Sequence, residues 1–369
     1  MQALTILGGG NTAFAVAANL TLRGFAVTLC EHPDFAATLE PICESRVIRL
    51  DGVAMRGVAK LHRVTTDFAE ALANELVLLS VPAYAQKPFA ELCAPHLRDE
   101  HVVVVTPGTL GSLEFARIVG RASLPDKQAI TIAETDTAPY VCRKVAPDAA
   151  HIWGVVSGLG LGVLPATATE RVTALLAEVF TVDGLNGSDS ALTTYSHVLA
   201  CGLSAMNPVV HPAGVLMNAG RVEYAHGEFH FYEEGVTPGV CNAIEAVDAE
   251  RRAIGKALGL ELTPVAEAFH RAGFGPRGDL WSVINGSHML TQLRAPGALN
   301  TRWLTEDVPY GLAAWSLLGE QLGVKTPTMR ALVDLASATL GQAFWKCART
   351  PEQLGIGGLS ADEMLKRVK

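Results

Sequence analysis

The residues whose types and spacing could do chemistry form two short groups in the second half of this chain. In the first group, Asn207 and His211 lie four positions apart, which would put them on one face of a helix. Pro208 and Pro212 qualify this arrangement, because Pro208 could begin a new turn capped by Asn207, and Pro212 disfavours helical backbone at His211. A histidine can gain or lose a proton near neutral pH. On the residues alone, a buried histidine satisfied by the backbone is the simpler interpretation.

The second group lies in the segment from Asn300 to Gly311, which contains Arg302, Glu306 and Asp307. An arginine can clamp a carboxylate through two parallel hydrogen bonds, which a lysine cannot do as a planar fork. The alternative is that these charges mark the solvated start of a helix. On the residues alone, the solvated helix start is the simpler interpretation.

A glycine-rich turn near the first residue predicts a nucleotide site. An apolar run from Leu4 to Leu7 predicts a strand, and the segment after the glycines has helical periodicity. The turn between them matches the dinucleotide-binding spacing G-x-G-x-x-G/A. Small residues there permit a tight turn and a close approach to a pyrophosphate, whose charge the start of the helix would hold. The residues expected to contact the nucleotide are Gly8, Gly10, Asn11, Thr12 and Ala13.

The strands that follow indicate which nucleotide binds and where it lies. Glu31 ends the second predicted strand about 20 residues past the glycines, where a carboxylate accepts hydrogen bonds from the ribose hydroxyls of NAD. Its charge would repel a 2′-phosphate, so NAD is favoured, and NADP stays an alternative because His32 and Arg46 could offset that charge. Pro82 and Pro107 follow two apolar runs and are expected at the carboxyl edge, beside the nucleotide.

The alternation of strands and helices predicts a doubly wound α/β fold for the first half. From about Ser188 onward the strand signal fades, and helices are predicted at 191–206, 239–258, 265–272, 313–322, 328–340 and 361–368. We therefore expect a Rossmann-like dinucleotide domain at residues 1–186 and an all-α domain at residues 187–369. The active site would lie in the cleft between them.

The composition limits the partners and the compartment. Of 369 residues, 49% are hydrophobic and 18% are charged, and the net charge of −8 argues against nucleic acid or an anionic membrane as a partner. Seven scattered cysteines without a C-x-x-C pair predict reduced thiols in a cytoplasmic protein, and no signal peptide precedes the first strand. The stretch from His197 to Met217 approaches membrane-span length, but prolines and polar residues interrupt it, so a buried helix is expected. No metal site is expected, although His226 and His230 have the spacing of a ligand pair.

In combination these motifs resemble the octopine/nopaline (opine) dehydrogenase family over nearly the whole chain. The N-terminal turn is similar to the family's nucleotide turn, and the downstream groups are similar to its junction and catalytic motifs. The segments that carry the resemblance are Gly8 to Ala13, Thr106-Pro107-Gly108, Glu134 to Arg143, Asn207-x-x-x-His211-Pro212, Arg302-x-x-x-Glu306-Asp307-Val308-Pro309 and Ala348 to Ser360.

The resemblance implies a Rossmann domain followed by an all-helical domain. It also implies NAD(P)-dependent reductive condensation of a 2-oxo acid, such as pyruvate or 2-oxoglutarate, with the amino group of an amino acid. His211 would be the general acid/base, Asp307 its partner and Asn207 a substrate-holding residue. Arg302 matches the family position that meets the oxo-acid carboxylate. Further candidates, for the amino substrate, are Glu134, Tyr140 and Arg143.

Two other functions stay open at this point. A simple NAD(P)-dependent reductase of 2-oxo or hydroxy acids would share the same fold, although the second half lacks an obvious catalytic lysine of the kind that such reductases often use. A non-catalytic nucleotide-sensing protein would need only the N-terminal turn. The expected partners are small-molecule substrates and, in a homodimer, a second copy of the chain.

Overall fold

The structure, a computed structural model, describes residues 2–122, 130–180 and 192–369. Contacts divide it into two compact units, Met1–Gly202 together with Lys369, and Leu203–Val368. The boundary expected at 186/187 lies outside the described residues. The first unit extends to Gly202 because the helix Val198–Gly202 packs against two of its strands, Thr131–Thr135 and Leu159–Leu164.

The described part of the first unit contains strands and short helices in alternation. The strands are β1 Ala3–Leu7, β2 Ala26–Cys30, β3 Val47–Gly52, β4 Gly57–Lys60, β5 Arg63–Thr65, β6 Leu76–Leu79, β7 Val102–Val105, β8 Thr131–Thr135, β9 Tyr140–Ala146, β10 Ala149–Val155, β11 Leu159–Leu164 and β12 Leu192–Thr194. The helices are α1 Asn11–Leu22, α2 Glu40–Cys43, α3 Phe68–Ala71, α4 Ala83–Cys93, α5 Gly111–Ala122, α6 Thr169–Ala177 and α7 Val198–Gly202.

The larger sheet has the order β12-β11-β8-β7-β6-β1-β2-β5. Its strands from β8 to β5 are parallel, and β11 joins them antiparallel to β8. Every residue of β6 and β7 is buried, as expected for parallel strands covered on both faces. The predicted doubly wound α/β fold is therefore confirmed, and β1, β2, β6 and β7 bring their carboxyl ends to one edge.

A second, four-stranded sheet with the order β4-β3-β10-β9 was not predicted. Its strand β3 pairs with β10 and β4 rather than with a strand of the larger sheet. The segment 152–164 contains the end of β10 and all of β11. The edge strand β9 packs beside α1, so this sheet approaches the glycine-rich turn.

The second unit is helical, as predicted. Its helices are α8 Asn207–Leu216, α9 Ala219–Ala225, α10 Pro238–Ala257, α11 Val265–Arg271, α12 Leu280–Asn285, α13 Arg302–Thr305, α14 Ala314–Gln321, α15 Pro327–Leu340, α16 Phe344–Cys347 and α17 Ala361–Val368. Two π-helical turns, Phe231–Gly235 and Asp307–Ala313, interrupt this pattern. A reciprocal capping box between Ser360 and Glu363 begins α17.

The long helix predicted at 191–206 is wrong. That region contains β12, the five-residue α7 and irregular backbone before α8 begins at Asn207. The apolar stretch Val198–Leu216 is long and apolar enough to cross a membrane by composition, with a mean hydropathy of 1.3. Because 89% of it is buried inside the protein, it has the placement of a core segment.

Candidate active site

His211 and Asp307 form the centre of a site in the second unit. Nδ1 of His211 lies 2.8 Å from Oδ2 of Asp307, although 96 positions separate the two residues. The side chains are only 12% and 11% exposed, so the pair is shielded but still open on one side. A carboxylate at Nδ1 fixes the ring orientation and the tautomer, which leaves Nε2 as the nitrogen that can exchange a proton.

The helix α8 carries His211 in spite of its two prolines. Pro208 lies in the first turn, where its missing N–H costs no intrahelical bond, and Pro212 lies inside the helix. The expectation that Pro212 would keep His211 out of a helix is wrong, because the packed helix accommodates the lost bond to the carbonyl four residues earlier. Asn207 begins α8 but does not cap it, since the residue before it, Met206, occupies the cap position.

The π-helical turn Asp307–Ala313 places Asp307 against α8. Pro309 lies within this turn and has no N–H for a regular helical ladder. Gly311 lets the turn approach α8 closely, because a Cβ there would lie 2.3 Å from the Cβ of Pro208. Such turns often occur at functional sites, and this one holds the carboxylate on the face that His211 occupies.

Two aromatic residues contact the imidazole and a third packs against both of them, and none of the three was predicted as a site residue. Trp303 stacks on His211 with ring centroids 4.3 Å apart and planes 4° from parallel. Phe231 packs edge-on against Trp303. The hydroxyl of Tyr232 lies 3.3 Å from Nε2 of His211. Burial, followed by the charge of Asp307, raises the pKa of Tyr232 well above its ordinary value, so its hydroxyl keeps its proton.

Asn207 and Arg302 are the exposed members of the two predicted groups. Asn207 is exposed and shares the helix face of His211, one turn away. Arg302 begins α13, and its side chain is 55% exposed. Its Nη1 lies 3.6 Å from Oε2 of Glu306, a loose ion pair that does not use all the guanidinium donors.

The three candidates for the amino substrate lie in the first unit, and two of them are buried and hydrogen-bonded within it. Glu134 is fully buried, and its carboxylate accepts hydrogen bonds from the backbone N–H groups of Leu110 and Ser112. Tyr140 is buried on β9 and accepts a hydrogen bond of 2.8 Å from Nδ2 of Asn19, and burial raises its pKa to about 12. These contacts give both side chains partners within the fold, and a substrate-binding role for Glu134 or Tyr140 stays a prediction. Arg143 is exposed on β9.

The glycine-rich turn has the shape that a dinucleotide requires. Gly8 has φ +119°, and a Cβ there would lie 2.6 Å from the carbonyl oxygen of Ser80, so only glycine fits. Gly10 precedes α1, and a Cβ at this position would meet no described atom within 4 Å. The first N–H groups of α1 have no acceptor within the helix and face this open space. The turn therefore fits a pyrophosphate.

Glu31 lies against that turn. It is 7% exposed, and the backbone N–H groups of His32 and Gly9 donate to its carboxylate. Burial raises the pKa of Glu31, and those two hydrogen bonds oppose the shift. The carboxylate therefore lies at the end of β2, beside the glycines, where the motif requires the ribose.

The remaining cofactor candidates fall at the same edge of the larger sheet. Ala13 is fully buried under the turn and Thr12 is partly exposed. The side chain of Asn11 faces β9, because its Oδ1 accepts the N–H of Lys144 at 2.9 Å. Pro82 precedes α4 after β6, and Pro107 follows β7.

Comparison with known proteins places these features in one family. The family model described as NAD/NADP octopine/nopaline dehydrogenase, alpha-helical domain, matches residues 194–340. The chain is 31% identical to an opine dehydrogenase of Arthrobacter sp. (strain 1C), with 96% of each protein covered. It is 25% identical to a vitopine synthase of Allorhizobium ampelinum, covering 97% of this chain and 96% of that protein. The structure of an octopine dehydrogenase in complex with NADH and agmatine shares its fold, with a TM-score of 0.77, 19% identity, and 99% and 98% of the two chains covered.

Proposed function

Since the chain belongs to the octopine/nopaline (opine) dehydrogenase family, we propose that the group around His211 and Asp307 performs the acid–base chemistry of its reaction. The protein is an NAD(P)-dependent oxidoreductase that acts on CH–NH bonds. It reductively condenses a 2-oxo acid with the amino group of an amino acid. The resulting question is which side chains of this chain move protons and which bind the two substrates.

The condensation requires two proton transfers that His211 could perform. The ammonium group of the amino substrate must lose a proton before its nitrogen attacks C2 of the oxo acid. The hydroxyl of the resulting carbinolamine must then gain a proton to leave as water. With Asp307 2.8 Å from Nδ1, Nε2 of His211 is the atom that accepts the first proton and donates the second. This His–Asp contact is the observation that carries the proposal.

The nearby aromatic residues support the same role. Trp303 covers one face of the imidazole, which keeps the ring in a fixed plane. The hydroxyl of Tyr232 can donate to Nε2 when His211 is neutral and can accept from it when His211 is charged. His211 therefore has a partner in both protonation states before the substrate binds.

We assign Arg302 to the carboxylate of the 2-oxo acid and Asn207 to a polar group of the substrate. The guanidinium group can form two parallel hydrogen bonds to a carboxylate, and its loose pairing with Glu306 does not use all its donors. Asn207 offers both an amide N–H and a carbonyl oxygen on the face of α8 that presents His211.

The dinucleotide would be held by the turn from Gly8 to Ala13 and by Glu31, with Pro82 and Pro107 at the same edge. When bound, the reduced nicotinamide supplies the hydride that converts the imine carbon into the carbon of a secondary amine. We propose NAD as the preferred form, because the carboxylate of Glu31 would meet a 2′-phosphate as a like charge. We also propose a cytoplasmic location, which the seven free cysteines support.

The test is the dependence of NADH oxidation on both substrates. We expect oxidation only when a 2-oxo acid and an amino acid are present together, in a panel that pairs pyruvate and 2-oxoglutarate with individual amino acids. Full turnover with the oxo acid alone would favour a simple reductase instead. The variant His211→Gln should lose several orders of magnitude in kcat and retain nucleotide affinity. A chain that binds NADH but shows no turnover with any pair, in wild type and variant alike, would favour a nucleotide sensor.

A further inference from the structure

We propose that Lys144 is a cofactor-binding residue whose ammonium group contacts the pyrophosphate of the dinucleotide. This inference rests on the proposed nucleotide site and adds a residue that the glycine-rich motif does not contain. It comes from the second sheet, whose edge strand β9 lies beside the first turn of α1.

The geometry fixes Lys144 at the start of α1. Its backbone N–H donates to Oδ1 of Asn11, the first residue of that helix, at 2.9 Å. Its side chain then lies along the same turn, with Nζ 3.6 Å from the centroid of the Phe14 ring. Both ends of the residue are therefore held within one turn of the N–H groups that would bind a phosphate.

A cation is poorly accommodated at this place unless an anion joins it. Burial lowers the pKa of Lys144, which means that the surroundings disfavour its charge, and the charge of Glu31 only partly opposes this. The start of a helix also carries the positive end of the macrodipole. Among the residues that the structure describes, no carboxylate oxygen lies within 4 Å of Nζ, which instead contacts the Phe14 ring.

A pyrophosphate at the start of α1 would remove both penalties at once. It would supply a counter-charge to Lys144, and its oxygens would accept hydrogen bonds from the N–H groups of the first turn. The cation–π contact with Phe14 by itself would stabilise the fold but would give no dependence on the nucleotide. The two roles differ in what they predict for binding, so a binding experiment separates them.

The experiment is an isothermal titration of the purified enzyme with NADH and with NADPH. Lys144→Met keeps an unbranched apolar chain over Phe14 and removes the charge. We expect Kd to rise for both dinucleotides by a similar factor of about ten, as for the loss of one charge-assisted hydrogen bond. The matched control is Lys60→Met on β4, the opposite edge of the same sheet, whose exposed side chain carries the same charge. Its Kd values should stay within about twofold of wild type.

Salt provides a second measurement on the same variants. The Kd of the wild type should rise more steeply with ionic strength than the Kd of Lys144→Met, because one ionic contact is lost in the variant. Wild-type Kd values for Lys144→Met, with or without a lower melting temperature, would overturn the inference and leave the nucleotide site intact. A loss confined to NADPH would overturn the pyrophosphate assignment. If the wild-type protein bound neither dinucleotide, the proposed nucleotide site itself would fail.

Discussion

Replacing Asp307 by asparagine probes the contact on which the proposed acid–base chemistry depends. The substitution keeps the size of the side chain but removes the charge that faces Nδ1 of His211 at 2.8 Å. The amide introduced can also turn its NH₂ group toward Nδ1, which would favour the other tautomer of the imidazole. In that tautomer Nε2 carries the hydrogen and cannot accept the proton of the ammonium substrate.

The expected magnitude follows from the burial of the pair. Removing one partner of a buried charged pair typically costs about 3–5 kcal/mol. Both side chains keep about a tenth of their surface exposed to solvent, which screens the pair, so the lower half of that range applies best. Because about 1.4 kcal/mol is a factor of ten in rate, a cost of about 3–4 kcal/mol corresponds to a fall in kcat of roughly 10²- to 10³-fold.

The assay is steady-state kcat with NADH and both organic substrates at saturation, accompanied by the Kd for NADH and the melting temperature. Asp362→Asn is the matched control, because it removes one carboxylate from an exposed position on α17 of the same unit. We expect the control to behave as wild type. The reasoning would be refuted if folded Asp307→Asn enzyme retained kcat within about threefold of wild type.

Three further variants test separate parts of the account. Arg302→Lys should raise the KM for the 2-oxo acid by roughly tenfold, because an ammonium group cannot form two parallel hydrogen bonds to its carboxylate. The KM for the amine should stay unchanged, and equal changes in both KM values would contradict the assignment. Tyr232→Phe removes the hydroxyl 3.3 Å from Nε2 of His211 and should lower kcat by roughly three- to tenfold at an unchanged melting temperature, whereas a lower melting temperature with normal kcat would indicate a structural role. Burial raises the pKa of Asp136 to about 6, so the folded state holds the proton of this group more tightly than the unfolded chain. Its contribution to the free energy of unfolding is therefore fully present below about pH 4 and is lost as the pH rises through 6. Asp136→Asn, which keeps an acceptor for the Tyr195 hydroxyl, should therefore remove roughly 3 kcal/mol of that pH dependence in urea unfolding. A dependence of the unfolding free energy on pH like that of wild type would argue against it.

The nucleotide sheet could be predicted from the sequence because its signals are local. β6 and β7 are continuous apolar runs, and the turn at Gly8 needs a backbone conformation that only glycine adopts easily. The second sheet could not be predicted in the same way. Its strand β3 pairs with β10, which joins Arg49 to Ala149, and no local pattern reports so distant a partner.

The candidate site shows the same division between local and distant information. Spacing alone does not bring His211 to Asp307, and only the family resemblance implied that pair. Tyr232 was missed because an aromatic residue ordinarily predicts a core position, and its hydroxyl reaches His211 only through a π-helical turn. Glu134 became a candidate for the amino substrate through the family resemblance. Its actual partners depend on the positive φ angles of Thr109 and Leu110, which the sequence does not reveal.

The most direct test of the central claim is the fate of two isotopic labels in one turnover. The enzyme is supplied with NADH that carries deuterium at the transferred position, a 2-oxo acid and a ¹⁵N-labelled amino acid, and the product is analysed by mass spectrometry and NMR. We expect a secondary amine that retains the ¹⁵N and carries the deuterium on the former oxo carbon. A deuterated 2-hydroxy acid without ¹⁵N would contradict it.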